Sequence, residues 1–216
     1  MEYIDIENWS RKKHFEFFSQ LDYPHFNICF ELDITSIYKY VKDRNISIFK
    51  ALLYFVVRTA NEIKQFRYRI RKDKVVLHRA VHPSVTVRVN EEEFSFCPVE
   101  YVSEAEEFFE KVNRKIKEVK NNPVIEDHPD RDDFLFITSI PWISFTAIQH
   151  PVNITPADSV PRIAWGKFFP KNKKIKLPFS IQAHHGLMDG IHMGKYRQNI
   201  QKYFNCPGRY LPKHKI

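Results

Sequence analysis

Between Phe26 and Ile34 the apolar side chains Phe26, Ile28, Phe30, Leu32 and Ile34 alternate with Asn27, Cys29, Glu31 and Asp33. A period of two describes a strand with one buried face, and such a face requires a second layer to cover it. Helical spacing follows at once. Thr35 or Ser36 is placed to cap a helix through Val41, and Ser47 a longer one through about Lys64. Upstream, Trp9 to Gln20 carries His14, Phe15, Phe17 and Phe18 at near-helical spacing and predicts a short helix.

The middle of the chain reads as hairpins. Arg67 to Ile70 and Val75 to His78 flank a Lys-Asp turn, and Val85, Val87 and Val89 alternate before an Asn-Glu-Glu-Glu turn and a strand at Phe94 to Cys97. A helix follows, with Ser103 and Glu106 spaced as a capping box and Phe108, Val112, Ile116 and Val119 on one face. Glu107 with Lys111, and Glu110 with Arg114, form i,i+4 pairs along it. After the polar loop Asn121 to Asp133 come four strand-like runs, Phe134 to Thr138, Ile143 to Ile148, Arg162 to Phe169 and Ile175 to His185, the last two joined by the basic turn Pro170 to Lys174. Met193, Tyr196, Ile200 and Phe204 close the chain at helical spacing. The order predicts an α+β fold, a mixed β-sheet flanked by helices, and 216 residues predict one domain over 1–216.

Composition narrows the function. No run approaches eighteen apolar residues and the first residues lack the apolar core of a secretory signal, so a cytoplasmic protein is expected. Cys29, Cys97 and Cys206 show neither paired spacing nor a zinc pattern and read as reduced structural thiols. Five glycines form neither a GxGxxG nor a P-loop. The net charge of +8 attracts polyanions, a phosphorylated cofactor or nucleic acid among them, but the basic groups Arg11 to Lys13, Arg67 to Lys74 and Lys171 to Lys176 carry no nucleic-acid-binding signature.

The chemistry concentrates in AHHGLMDGIHMG, Ala183 to Gly194, where a strand ends and a helix begins. Successive strand residues face opposite ways, so one of His184 and His185 points into a cleft and the other away, which disfavours a shared metal. Asp189 is spaced either to orient a histidine as in a catalytic triad or to serve elsewhere.

HHGLMDG matches the HHxxxDG signature of CoA-dependent acyltransferases. NWSRKKHFEFF from Asn8, SIPWISFTAI from Ser139 and LPFSIQAHHGLMDGIHMGKY from Leu177 together resemble the chloramphenicol acetyltransferase family from end to end. The resemblance implies a CoA-dependent acyltransferase fold, acetyl-CoA as co-substrate with no metal, and a homotrimer whose active sites lie between subunits. It also implies direct attack of a chloramphenicol hydroxyl on the thioester. It makes His185 the general base, pairs Asp189 with Arg11 in a salt bridge, and places Thr138, or Ser139 beside it, where the family has an oxyanion-binding serine. Phe18, Phe26 and His150 fall on the acceptor pocket, and Lys167 near the CoA site, although an exposed strand lysine reads the same way in the sequence. Phe18 where the family has Tyr, His150 for Leu and Ala164 for Thr change the acceptor side. The same transfer to another small hydroxyl compound, a noncatalytic CoA-binding homologue and a nucleic-acid-binding module are therefore the competing readings.

Overall fold

A computed structural model describes residues 1–123, 125 and 131–213. In chain order the elements are β1 (Glu2–Tyr3), α1 (Lys12–Ser19), β2 (His25–Asp33), α2 (Thr35–Asp43), α3 (Ile48–Asn61), β3 (Tyr68–Arg71), β4 (Lys74–Leu77), β5 (His82–Arg88) and β6 (Phe94–Pro98). Then come α4 (Ala105–Asn121), β7 (Phe134–Ile140), β8 (Arg162–Gly166), β9 (Phe169–Lys171), β10 (Lys174–His184) and α5 (Gly190–Asn205). A seven-stranded sheet runs β2-β10-β8-β7-β5-β6, with β9 hairpinned onto β10. It is mixed, since β5 with β7 and β7 with β8 are parallel while the other pairs are antiparallel. A small antiparallel sheet, β1-β4-β3, stands apart. Among the described residues no helix is long and apolar enough to cross a membrane.

Residue parity divides the large sheet into two faces. Val85 and Val87, Leu135 and Ile137, Ile163 and Trp165, and Leu177, Phe179, Ile181 and Ala183 point to one side. There they form a single core with Ile37, Leu52, Phe55, Val56, Tyr196, Ile200 and Phe204 of the helices. The other side carries Asn27, Ser180, Gln182, Ala164, Arg162, Thr138, Phe136 and Thr86. Over β2 and β10 that polar face is covered by the long connection between β7 and β8. Asn27 Nδ2 donates to Ile148 O, Gln182 Oε1 accepts from His150 N at 2.9 Å, and Ser180 Oγ donates to Asn27 Oδ1 at 2.7 Å.

That cover corrects one expectation. Ile143 to Ile148 is not a strand, because its carbonyls are taken by the Asn27 side chain and by Lys167 N (2.8 Å) rather than by a neighbouring ladder. Its alternation does not mark a buried face either, since Ile143 and Ala147 are exposed and only Phe145 and Ile148 are partly covered. Arg162 to Phe169 is likewise broken into β8 and β9 around Lys167 and Phe168. Ser47 caps α3 through Lys50 N, but two other caps differ. Thr35 Oγ1 donates to Asp33 Oδ1 and accepts from Ile175 N, so it ties α2 to β10. The Ser103 carbonyl accepts from the Tyr54 hydroxyl, and the residue at the start of α4 is Glu104, which makes no side-chain cap. Lys111 meets Glu107 at 3.3 Å, whereas Arg114 reaches Glu118 rather than Glu110. Cys97 is buried and its thiol pushed up to about 11 by that burial; Cys206 is exposed, not a core thiol. Of the loop Asn121 to Asp133, Val124 and 126–130 lie outside the described residues.

Gly166 marks the closest approach of the cover to the sheet. A Cβ there would lie 2.7 Å from Ile143 O and 2.9 Å from the Phe145 ring. Gly166→Ala is expected to cost about 1 to 3 kcal/mol in urea unfolding.

Candidate active site

β10 and β2 pair over nine rungs, from Lys176 opposite Asp33 to His184 opposite His25. One bond continues the ladder: His185 N donates to Pro24 O at 2.8 Å. The chain then turns, with Leu187 N and Met188 N both on His184 O, and α5 begins at Gly190. The two histidines part as strand geometry requires. His184 turns inward and is only 2% exposed, and its Nδ1 accepts from Gly186 N at 3.1 Å, which places the ring proton on Nε2. Burial, reinforced by His25, pushes its imidazole down to about 4. His185 is half-buried, its ring stacked on Phe18 at 3.9 Å and 3° and tilted against Phe26 at 4.5 Å. Its Nδ1 is sealed in protein with no hydrogen-bond partner among the described residues, which leaves Nε2 to reach outward.

Charged bonds hold the turn from behind. Arg11 Nη1 meets Asp189 Oδ2 at 2.7 Å, Nη2 donates to His185 O at 3.2 Å, and Nε approaches Gly186 O at 3.5 Å. Burial opposes ionisation of Asp189, but the Arg11 bond, the His192 and Arg11 charges and the Ile191 N–H together outweigh it, and its carboxyl lies below the ordinary range. Asp189 also caps α5 by accepting from Ile191 N, while its own N–H donates to His192 Nδ1. None of its partners is the His185 ring, so a triad role is not supported. Trp9 and Phe15 pack into a second small core with Tyr68, Val75 and Leu187, which docks α1, and with it Arg11 and Phe18, against this turn.

A cavity of about 970 Å³ opens on the uncovered half of the polar sheet face. Thr86, Phe96, Phe136, Thr138 and Arg162 form its floor, Trp142 and His150 its wall, and Arg88 with Glu91, Glu92 and Glu93 its mouth. The His150 backbone is clamped on both sides by the Gln182 amide. Burial, then the nearby Arg162 charge, lowers the His150 pKa.

A family model described as chloramphenicol acetyltransferase matches residues 1–201. The chain belongs to the chloramphenicol acetyltransferase family. It is 29% identical over 203 residues to a chloramphenicol acetyltransferase of Klebsiella sp, covering 93% of this chain and 92% of that one. With one from Clostridium butyricum it shares 30% identity, over 92% of each chain. A solved chloramphenicol acetyltransferase superimposes with a TM-score of 0.82 at 25% identity, covering 93% of this chain and 98% of the other. The dihydrolipoamide acetyltransferase of Azotobacter vinelandii, at 14% identity and a TM-score of 0.71, shares the fold.

In this acetyltransferase-family chain the anticipated site residues fall into two groups. Arg11, Phe18, Phe26, His185 and Asp189 meet at the end of β10, whereas Thr138, Ser139 and His150 line the cavity. Thr138 is level with Ala164 on β8, and Ala164 with Ser180 on β10. His185 lies five residues farther along and two strands across, so roughly 15 to 20 Å separates its backbone from that of Thr138. Lys167 is exposed beyond the end of β8 and belongs to neither group. No motif marks Pro24, Phe136 or Arg162. Parity along β7 and β8 would have found Phe136 and Arg162, because both share a face with Thr138 or Ala164.

Arg11→Met strands Asp189 against a quarter-exposed pocket and is expected to cost about 2 to 3 kcal/mol, less than for a fully buried pair, by denaturant unfolding. His184 binds a proton more weakly folded than unfolded, so the unfolded chain takes up more protons between about pH 6.5 and 4. Stability is therefore expected to fall as pH drops through that window, by roughly 3 kcal/mol from this group, and His184→Asn to flatten the urea midpoint against pH.

Proposed function

We propose that this chain transfers the acetyl group of acetyl-CoA to a hydroxyl of chloramphenicol, with His185 as general base. The observation that carries the reading is the immobilised imidazole: family membership identifies the reaction class, and His185 is clamped between Phe18 and Phe26 with its backbone tied to Pro24 and Arg11. A neutral alcohol is a poor nucleophile near pH 7, and a base held in one orientation removes its proton as the oxygen attacks.

The alcohol oxygen bonds to the thioester carbonyl carbon while its proton passes to His185 Nε2. The carbonyl π pair moves onto oxygen and forms an oxyanion. Thr138, which lines the cavity, is the donor for that charge through its hydroxyl, directly or through water. Collapse breaks the carbon–sulfur bond, and the imidazolium returns the proton to the CoA thiolate. No acyl-enzyme forms. Arg11 and Asp189 hold the turn that carries His185 and take no proton.

Because Thr138 and His185 of one chain are too far apart to act on one small molecule, the reading requires His185 to serve a cavity on a second copy. A homotrimer with sites between subunits satisfies this, each copy of 1–216 acting as one domain. Lys167, exposed and pinned through its backbone to Ile143 O, is placed to meet a CoA phosphate. The locale is cytoplasmic, where acetyl-CoA is made.

A second reading, acetylation of a different small alcohol, is favoured by the polar His150 and Arg162 in the cavity. Thiol release from acetyl-CoA with chloramphenicol and a hydroxyl panel separates the two. His185→Ala is expected to lower kcat by at least 10² to 10⁴ with any acceptor, about the worth of a positioned base. Retained turnover would remove the mechanism.

A further inference from the structure

One cationic side chain on the cavity floor has no part in moving the acetyl group. Arg162 opposes Phe136 in the β7–β8 ladder, and its guanidinium lies 5.2 Å from the centre of that ring. Its side chain is 12% exposed, and it is fastened from behind: Nη2 donates to Asp158 Oδ2, and Nη1 to Val160 O at 3.0 Å. Asp158 is itself fixed, its Oδ1 accepting from Val160 N at 2.7 Å and its main-chain oxygen meeting His25 Nε2 at 2.6 Å. These bonds leave the Arg162 Nε–H without a protein acceptor among the described residues.

Thr138 lies two residues beyond Phe136 on the same face of β7, so its backbone is roughly 8 Å from that of Arg162. A molecule with its hydroxyl at Thr138 and its aromatic ring beside Phe136, along the diagonal from β7 to β8, therefore ends at the guanidinium. Asp158 already neutralises the Arg162 charge, and Glu91, Glu92 and Glu93 at the mouth repel anions. The complementary end group is a neutral hydrogen-bond acceptor, such as a nitro group or an amide carbonyl, rather than a carboxylate.

We propose that Arg162 is a specificity-determining residue that selects aromatic alcohols carrying a neutral hydrogen-bond-accepting group at the end opposite the acetylated hydroxyl. This rests on the acyl-transfer reading above. A donor held in place rejects a ligand that leaves it unpaired, and a bond to a charged donor corresponds to about 10- to 100-fold in discrimination.

The test uses three phenylethanols of nearly equal size, with para-nitro, para-isopropyl and para-carboxylate substituents, and thiol release from acetyl-CoA. The unsubstituted protein is expected to favour the nitro over the isopropyl compound by about 10- to 100-fold in kcat/KM, with the carboxylate no better than isopropyl. In Arg162→Met the preference falls to about 3-fold or less. The double variant Asp158→Asn/Arg162→Met, which leaves no stranded carboxylate, shows the same loss. Equal use of nitro and isopropyl compounds by the unsubstituted protein, preference for the carboxylate, or a preference retained in either folded variant overturns the proposal. Should both variants unfold, the panel on the unsubstituted protein decides alone. Absence of thiol release with every alcohol, chloramphenicol included, overturns the acyl-transfer reading itself; release without preference overturns only the role of Arg162.

Discussion

The antiparallel ladder between β10 and β2 is the constraint on which the rest of the structure depends. It sets nine residues in register and then carries one further hydrogen bond, from His185 N to Pro24 O, past the point where the strand ends. A backbone bond of this kind contributes little net stability, about 1 kcal/mol, but it decides where the first residue of the turn stands. Because parity is strict along a strand, the same register that buries His184 turns His185 outward against Phe26, which projects from the partner strand. A slip of one residue would exchange the two histidines and destroy both roles.

Around this ladder the chain uses charge mainly to hold backbone. Arg11 gathers the carbonyls of His185 and Gly186 with the Asp189 carboxylate. Fully buried Arg69 donates to the carbonyls of Phe66, Tyr68, Asp132 and Phe134. Arg71 grips Asp132, Lys171 reaches Glu31 and Lys174 reaches Asp33. Each ion pair cancels one charge of either sign, so these contacts fix individual cations in place and leave the net surplus of +8 as it was. Asp158 has a double position in this scheme. Its main-chain oxygen anchors His25, next to the Pro24 and Phe26 that flank His185, and its carboxylate fixes Arg162 in the cavity.

How much of this was legible follows from how local each signal is. The strand at Phe26 to Ile34, the helix capped by Ser47 and the terminal helix through Met193, Tyr196, Ile200 and Phe204 stand where their periods place them, because burial of one face is a property of the segment itself. Segments whose polar partners lie far away in sequence misled. Thr35 has capping chemistry, but its hydroxyl is claimed by Asp33 and Ile175, and Ser103 stands one residue before the Glu104 that opens α4. Ile143 to Ile148 has strand-like alternation, yet Asn27 and Lys167 take its carbonyls and make it a lid over the sheet.

By itself the sequence determined the reaction class and the element order, since the HHGLMDG string and the flanking blocks carry the family and the periods carry the layers. Only the tertiary structure decided which groups meet. It set Phe18 flat against His185, left Thr138 and His150 in a separate cavity, and brought Arg162, an unremarked residue in an apolar run, to that cavity's floor. The physical reason is that a residue's facing depends on its local period, whereas its neighbours depend on strand order. Strand order brings together residues more than a hundred positions apart, and no local pattern encodes it.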